Sequence, residues 1–394
     1  MRDVAIIGGG PGGLYAAYRL ARSGWDVAVF EEHSSAGEPV HCTGVLALEA
    51  FDEFEVPRAA ILNSISTAQF FGPSGASIEY STPSVEAVVV DRRVFDDALC
   101  EQARAAGVAV HVGTKISDLQ VFDRGVEITG SAGDRFEARA CILACGANYT
   151  LQRRLGLGIP PLYLQSAQLE VPASALGHVE LHFGDVAPKG FAWVVPVRRG
   201  AATFARVGLM CDRDARDHFE RFLARIGPRW RIEHVCSLDD RRPPRTKLLP
   251  LAPIARTYAT RLIAVGDAAG LVKATTGGGI YYSLLSGRIA ADVLAVALRA
   301  DDLSASMLAA YEDGWRAALG DELAAQLQLR QIADTLSERE IDELFELART
   351  DGIMPIVSRT ATFNRHRRLI LSLLSHPPAR QILLRRVLSW AAPA

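Results

Sequence analysis

No apolar run in this sequence approaches the roughly 20 uninterrupted residues that a bilayer-spanning helix needs, so a membrane-embedded chain is not expected. Net charge is nearly absent too. The formal value of -2 creates no field that would attract nucleic acid, and no basic cluster with interleaved aromatics occurs in the first 350 residues, which excludes nucleic acid as a partner. Cysteine is scarce: Cys42, Cys100, Cys141, Cys145, Cys211 and Cys236 are too few for a disulfide scaffold in 394 residues. None belongs to a C-x-x-C pair of the kind that clamps zinc, so no metal site is expected. Cys141 and Cys145, four apart in an apolar run, read as small buried residues. A strand-like run begins at Val4 and leaves no room for a signal peptide, which points to a cytoplasmic protein or one peripheral to a membrane. What is present is 49% hydrophobic residues, enough to build two or more intertwined lobes around a full core.

Residues 2 to 31 read as strand, Gly-rich turn, helix and strand, and the continuous apolar strands imply a parallel sheet covered on both faces. Residues 85 to 112 repeat that plan, with a helix ended by Gly107 between two strands. Between Leu162 and Leu249 the pattern changes to short strand-type runs, LYLQSAQLEV, HVELHF, FAWVVPV, ATFARVGLM and RIEHVC, with a helix at DARDHFERFLARIG. Strand character returns at RLIAVGD, a long helix follows to about Ala300, and the remainder is helical with a break at Pro377-Pro378. The expectation is an α/β fold, α+β overall. It comprises a Rossmann-type domain with a parallel sheet (residues 1–160 and 255–303), an antiparallel-sheet substrate domain (161–254) and a helical C-terminal region (304–394).

Gly8-Gly9-Gly10-Pro11-Gly12-Gly13 fits G-x-G-x-x-G after a strand and before a helix, the context that dinucleotide binding requires. Gly8 allows the tight turn, Gly10 lets the backbone approach a pyrophosphate, and Gly13 permits close packing of helix on strand. The helix N-terminus offers free N–H groups to the phosphates. Glu31 ends the second strand, 23 residues after Gly8, where a carboxylate can accept from ribose hydroxyls. This motif alone does not separate NAD from FAD. A second segment does, because Gly266-Asp267 at a strand end can offer its carboxylate to a ribityl chain. Gly277-Gly278-Gly279, opening a helix, can then donate N–H groups to the flavin edge that becomes negative on reduction. Arg92, between a strand and a helix, is a candidate contact for pyrophosphate or ribityl hydroxyls.

With these residues in place the chain resembles the geranylgeranyl reductase family, within the flavoprotein class that contains para-hydroxybenzoate hydroxylase. The most specific match is GDAAGLVKATTGGGIYYSLLSGRIAA; VVVDRRVFDDALCEQA and FAWVVP are similar to the class's DR motif and to the family's aromatic pocket motif. The resemblance implies FAD and reduction of isolated carbon–carbon double bonds in polyprenyl groups. It also implies an active-site place for Cys42, in the segment Glu38 to Gly44. A thiol beside His41 in a Gly-permitted turn can serve as proton donor to carbon. Trp193 is expected to wall the pocket, a long apolar tunnel. The chain departs from the family's pattern at Ala274 (Pro), Cys145 (Asp), Phe191 (Tyr) and Val195 (Phe), and Cys145 removes a carboxylate that would help to hold NADPH.

The single dinucleotide motif implies an external electron donor, NADPH or a small redox protein. The reading that competes most directly is an FAD monooxygenase on the same fold; a non-redox prenyl carrier is the third, and it has no need of two flavin-type motifs. From Gly352 onward the chain has seven Arg and no Asp or Glu, interleaved with apolar runs, which suits peripheral contact with an anionic membrane.

Overall fold

The computed structural model describes residues 1–174, 177–232, 243–350 and 352–390. The strand Arg2–Ile7 lies at the centre of the first sheet, parallel to Val27–Phe30 on one side and Arg135–Leu143 on the other. Ala109–His111 and Leu262–Ala264 extend it in parallel at either flank. Val4, Ala5, Ile6 and Ile7 are all buried, as continuous apolar strands of a covered parallel sheet must be. Helix Pro11–Arg22 packs on helix Ile280–Arg299 and on helix Arg92–Ala105, so segments far apart in sequence share one core. Helix Ile280–Arg299 is long and apolar enough to cross a membrane by length and composition, but its apolar window is 67% buried within the molecule.

The second sheet has seven strands in the order Arg245–Pro250, Tyr163–Pro172, Ala202–Cys211, Phe191–Arg199, Val179–His182, Thr67–Phe71 and Ser77–Ser81. Two of them come from the first hundred residues, and Val179–His182 pairs with Thr67–Phe71 in parallel; the other pairings are antiparallel. Most of the strand expected over Arg231–Cys236 lies outside the described residues. Side chains in this sheet alternate with period two. Ala167, Val171, Val194, Val207 and Leu209 point to helix Ala215–Trp230 and pack on Phe219, Phe222 and Leu223. The opposite face therefore carries Ser166, Gln168, Glu170, Trp193, Arg206 and Gly208, and it is this face that meets the lobe built on the parallel sheet.

One buried guanidinium joins the two lobes. Arg206 Nε donates to Glu170 Oε2 at 2.7 Å, and its Nη1 donates to Thr43 O at 2.6 Å and Val90 O at 2.9 Å. Glu170 also accepts from Arg199, which reaches Asp91, the N-cap of helix Arg92–Ala105. Burial works against the Glu170 charge, but the two guanidiniums outweigh it and hold its pKa below the ordinary value. The C-terminal helices dock through Tyr311, whose hydroxyl donates to Ala264 O, and Trp315, whose Nε1 donates to Thr257 Oγ1. Helix Arg367–Ser375 ends just before Pro377, which opens helix Pro377–Trp390 at a position that needs no N–H donor.

Replacing Arg206 with Leu leaves two carbonyls without a donor, while Arg199 still holds Glu170. We expect a loss of about 2–4 kcal/mol. Urea unfolding followed by circular dichroism checks this, and an unchanged midpoint would show that the clip is not needed.

Candidate functional site

The first Gly-rich turn is shaped by contacts that no side chain fits. A Cβ on Gly8, whose φ is +113°, would sit 2.2 Å from Ala144 O, and one on Gly13 would sit 2.3 Å from Gly8 O. Gly10 differs, because a Cβ there would meet nothing within 4 Å. Gly10 is also the N-cap of helix Pro11–Arg22 and makes no side-chain cap, so the first helical amides face open space. That is the cradle an approaching phosphate needs. The space is a cavity of about 930 Å³, lined among others by Gly8, Gly10, Glu31, Arg92, Lys115 and Lys247. Glu31 accepts from Gly9 N on Oε2 at 2.7 Å and from His33 N on Oε1 at 2.9 Å, and His33 Nδ1 meets Oε1 at 2.6 Å, which fixes the carboxylate at the cavity wall with a lone pair to spare on Oε2. These residues fit a dinucleotide: an uncapped helix start for the phosphates and a held carboxylate for a ribose.

Arg92, its side chain 15% exposed at the cavity wall, is bidentate to the buried Asp96, at 3.1 and 2.6 Å. Burial disfavours its charge, yet Asp96 and then Cys42 keep its pKa above the ordinary value. Cys145 lines the same cavity, and burial pushes its thiol up to about 11, so an uncharged group stands there.

The second Gly-rich segment packs directly against the first. A Cβ on Gly12 would lie 2.8 Å from Ser283 O, and one on Gly266 would lie 2.2 Å from Ser283 Oγ. Gly279 abuts the Asp267 carboxylate, since a Cβ there would come 2.7 Å from Asp267 Oδ1. Asp267, Gly277, Gly278 and Gly279 do not line the 930 Å³ cavity; the link to it runs through Lys247, whose Nζ lies 3.6 Å from Asp267 Oδ2. Gly279 caps helix Ile280–Arg299 without a side-chain acceptor, so a second helix start is also uncapped.

The segment 41–44 lies across the inner face of the second sheet. His41 Nε2 meets Ser166 Oγ at 2.9 Å, and Thr43 Oγ1 donates to Gln168 Oε1 at 2.7 Å. With the residues on either side of it tied to the sheet, Cys42 turns the other way. It packs against the nucleotide-lobe core, beside the Arg92 guanidinium, and Gly44 N donates to its Sγ at 3.3 Å. Trp193 stays on the sheet, where its indole lies over Gly208; a Cβ at that position would be 2.5 Å from the ring. Trp193, Phe191, Phe183 and Phe345 form a continuous row of rings with centroids 5.7, 5.8 and 6.1 Å apart. Neither the 930 Å³ cavity nor a second one of about 1250 Å³ takes its lining from Cys42 or Trp193, so the expected apolar tunnel is neither of these two.

Several residues here escaped the sequence reading. Ser166 Oγ donates its one proton to Lys247 O, so His41 Nε2 must donate to Ser166. Nδ1 of His41 is then a buried acceptor without a partner among the described residues. Lys273, inside the second Gly-rich segment, is buried with its Nζ donating to Phe363 O and Asn364 Oδ1. Burial pushes its pKa down to about 7. Only Arg206 left a trace in the sequence, as a lone charge inside the apolar run ATFARVGLM.

Residues 6–45 match the profile of an NAD(P)-binding Rossmann-like domain. Over 358 residues the chain is 30% identical to a digeranylgeranylglycerophospholipid reductase of Methanocaldococcus jannaschii, covering 87% of this chain and 90% of that protein. It is 32% identical over 368 residues to digeranylgeranylglycerophospholipid reductase 2 of Methanothermobacter thermautotrophicus, covering 87% and 90%. Among solved structures it superposes on a geranylgeranyl bacteriochlorophyll reductase-like protein from Thermoplasma acidophilum, with a TM-score of 0.81, 22% identity and 98% of each chain covered. A halogenase in complex with FAD gives a TM-score of 0.68 at 16% identity, covering 98% of this chain and 85% of that one. At such identities the two structures bear on the fold alone.

Two imidazoles of this region make stability depend on pH. Burial, helped by Lys247 and Arg245, lowers His41 to about 4, and burial, helped by Lys273, lowers His366 to about 4. In the unfolded chain both protonate near their ordinary value of about 6.5. Between those values the unfolded state binds more protons, so stability is full above pH 6.5 and falls as the pH drops towards 4. The expected loss is on the order of 2–3 kcal/mol per imidazole. Urea midpoints at pH 7 and 4.5 test this, and the doubly substituted His41→Gln/His366→Gln protein should show a flatter profile. Equal slopes for both proteins would remove the assignment.

Proposed function

The chain belongs to the geranylgeranyl reductase family of flavoprotein oxidoreductases, and from that premise we propose that it is an FAD-dependent enzyme reducing carbon–carbon double bonds in a polyprenyl lipid. The observation that carries this reading is the placement of segment 41–44. It is clamped between the lobe that holds the dinucleotide cavity and a sheet face bearing an aromatic row. In this reading Gly10, Pro11, Gly12 and Gly13 present the helix start to the FAD pyrophosphate, and Glu31 accepts from a ribose. Arg92 supplies positive charge nearby, while Gly266 and Asp267 serve the ribityl chain; in the turn Gly277-Gly278-Gly279 the N–H groups of Gly277 and Gly278 donate to Lys273 O and Thr276 Oγ1, at 2.8 and 3.4 Å, so Gly279 at the helix start is the proposed donor to the flavin's anionic edge. Bound FAD supplies a hydride equivalent from its reduced ring.

The remaining chemistry falls to the chain's own residues. Reducing an isolated alkene also needs a proton at the second carbon, and Cys42 is the proposed donor. A thiol that gives up its proton leaves a thiolate, and the Arg92 guanidinium beside it is placed to hold that charge. Trp193 and its neighbouring rings wall off water, which protects the electrons from side reactions. A twenty-carbon chain can gain about 16 kcal/mol gross at about 0.8 kcal/mol per buried methylene. Association costs of about 4–15 kcal/mol take up much of it, so an apolar tail supplies useful affinity with few polar contacts. Electrons come from an external donor, NADPH or a small redox protein.

Three substitutions test this reading. Glu31→Arg should emerge from purification without FAD, because the ribose loses its acceptor to a bulky cation; a full complement of FAD, read from absorbance, contradicts the role given to Glu31. Cys42→Ser should retain FAD and its reduction by dithionite but slow anaerobic reoxidation by geranylgeranyl lipids about tenfold or more, whereas Trp193→Ala should mainly weaken substrate binding. If no polyprenyl compound reoxidises the reduced protein while an aromatic plus oxygen yields a hydroxylated product, a monooxygenase replaces this reading.

A further inference from the structure

We propose that the arginine-lined cavity among the C-terminal helices binds the phosphoryl group of a phospholipid headgroup. The cavity, of about 1250 Å³, shares no lining residue with the dinucleotide cavity. It opens between a π-helical turn, Arg316–Gly320, and the helices Ile353–Thr360, Arg367–Ser375 and Pro377–Trp390. Arg316, Arg359, Arg365, Arg367 and Arg368 all line it, against two carboxylates, Asp321 and Glu322.

The carboxylates do not balance the arginines. Glu322 is already used, accepting from the backbone N–H groups of His366 and Arg367 and from Gln326 Nε2. Asp321 lies 3.4 Å from Arg367, and Arg316 is paired with Glu312, which leaves Arg359, Arg365 and Arg368 without a carboxylate partner among the described residues. Among the described residues, Arg359 Nε donates to the carbonyl of Pro355, 3.1 Å away within its own helix. Three guanidiniums around one cavity repel each other, and a multivalent oxyanion that accepts from several of them turns that repulsion into attraction. The π turn widens the helix where the cavity begins, a distortion that is often found at functional sites.

The same wall points to a lipid as the source of the phosphate. Leu371, 48% exposed, and Ile356 line the cavity beside the arginines, which places apolar surface next to the anion site as a headgroup and its acyl chains require. The back of the cavity is tied to the second Gly-rich segment, since His366, whose N–H is held by Glu322, meets Thr275 Oγ1 at 2.7 Å. The inference draws on the proposed function only for the idea that this protein meets lipids, and the anion site requires no redox chemistry.

The test uses full-length protein as purified, oxidised and without an electron donor, at about 50 mM salt so that screening is modest. Titration calorimetry with pyrophosphate should show binding that Arg365→Gln/Arg368→Gln weakens by about tenfold or more, while Arg135→Gln, an exposed change elsewhere, leaves it intact. Flavin absorbance and circular dichroism establish that the variants are folded, and Arg359→Gln serves if the double variant is not. Vesicles containing phosphatidylglycerol should sediment the wild type, pyrophosphate should displace it, and the double variant should stay in solution. Pyrophosphate affinity equal in wild type and variant overturns the site. Pyrophosphate binding without vesicle binding overturns the lipid source and leaves a soluble phosphate compound as the ligand. Failure of alkene reduction with both binding results intact removes the proposed reaction and not this site.

Discussion

Everything at the nucleotide end depends on two helices crossing with no side chain between them. Gly12 of helix Pro11–Arg22 lies so close to helix Ile280–Arg299 that a Cβ on it would come 2.8 Å from Ser283 O, and one on Gly287 would come 2.5 Å from Gly12 O. Backbone cannot yield as a flexible side chain can, so one methyl group at either position would force the helices apart. Their contact brings two uncapped helix starts, at Gly10 and Gly279, into one neighbourhood although about 270 residues separate them. Each start carries partial positive charge, and together they suit a cofactor with anionic character at two places.

The second sheet meets this pair of helix starts by strict alternation. One face is apolar and spends itself on helix Ala215–Trp230; the other is polar where it holds the opposing lobe and aromatic along the row from Trp193 to Phe183. Arg206 decides how close the lobes come, because its hydrogen bonds end on the carbonyls of Thr43 and Val90, both from the nucleotide lobe. The same short distances set the direction of Cys42. Anchoring His41 and Thr43 to Ser166 and Gln168 leaves the thiol no course except towards Arg92. The local path of the chain, packing across the interface and the candidate proton donor are thus one arrangement.

The C-terminal helices contribute more than cover. Lys273 is drawn under Phe363, with the ring centroid 4.3 Å from its amine, and Thr275 is tied to His366, so the loop that opens the second helix is braced by residues some ninety positions later. Burying an amine lowers its affinity for a proton, and the balance is kept by carbonyl and amide oxygens rather than by a direct ion pair. That bracing connects the arginine-lined cavity to the flavin-type segment through continuous hydrogen bonds.

Much of this was legible in the chain alone. Apolar runs separated by helical periodicity determined a parallel sheet, the position of glycines determined where the backbone passes too close for a Cβ, and the place of Glu31 at the end of the second strand, against the first Gly-rich turn, followed from its distance along a strand–helix–strand unit. These are local properties, because a period, a cap or a missing Cβ acts within a few residues. Other features were set only by folding. Two strands from residues 67–81 joined a sheet otherwise built after residue 160, since strand pairing depends on which edge is left open in space. Arg206, His41 and Lys273 owe their character to partners far away in sequence, and the arginines of the C-terminal cavity owe theirs to helices brought together by folding. Burial and electrostatic compensation are sums over a three-dimensional neighbourhood, and no pattern along the chain carries them.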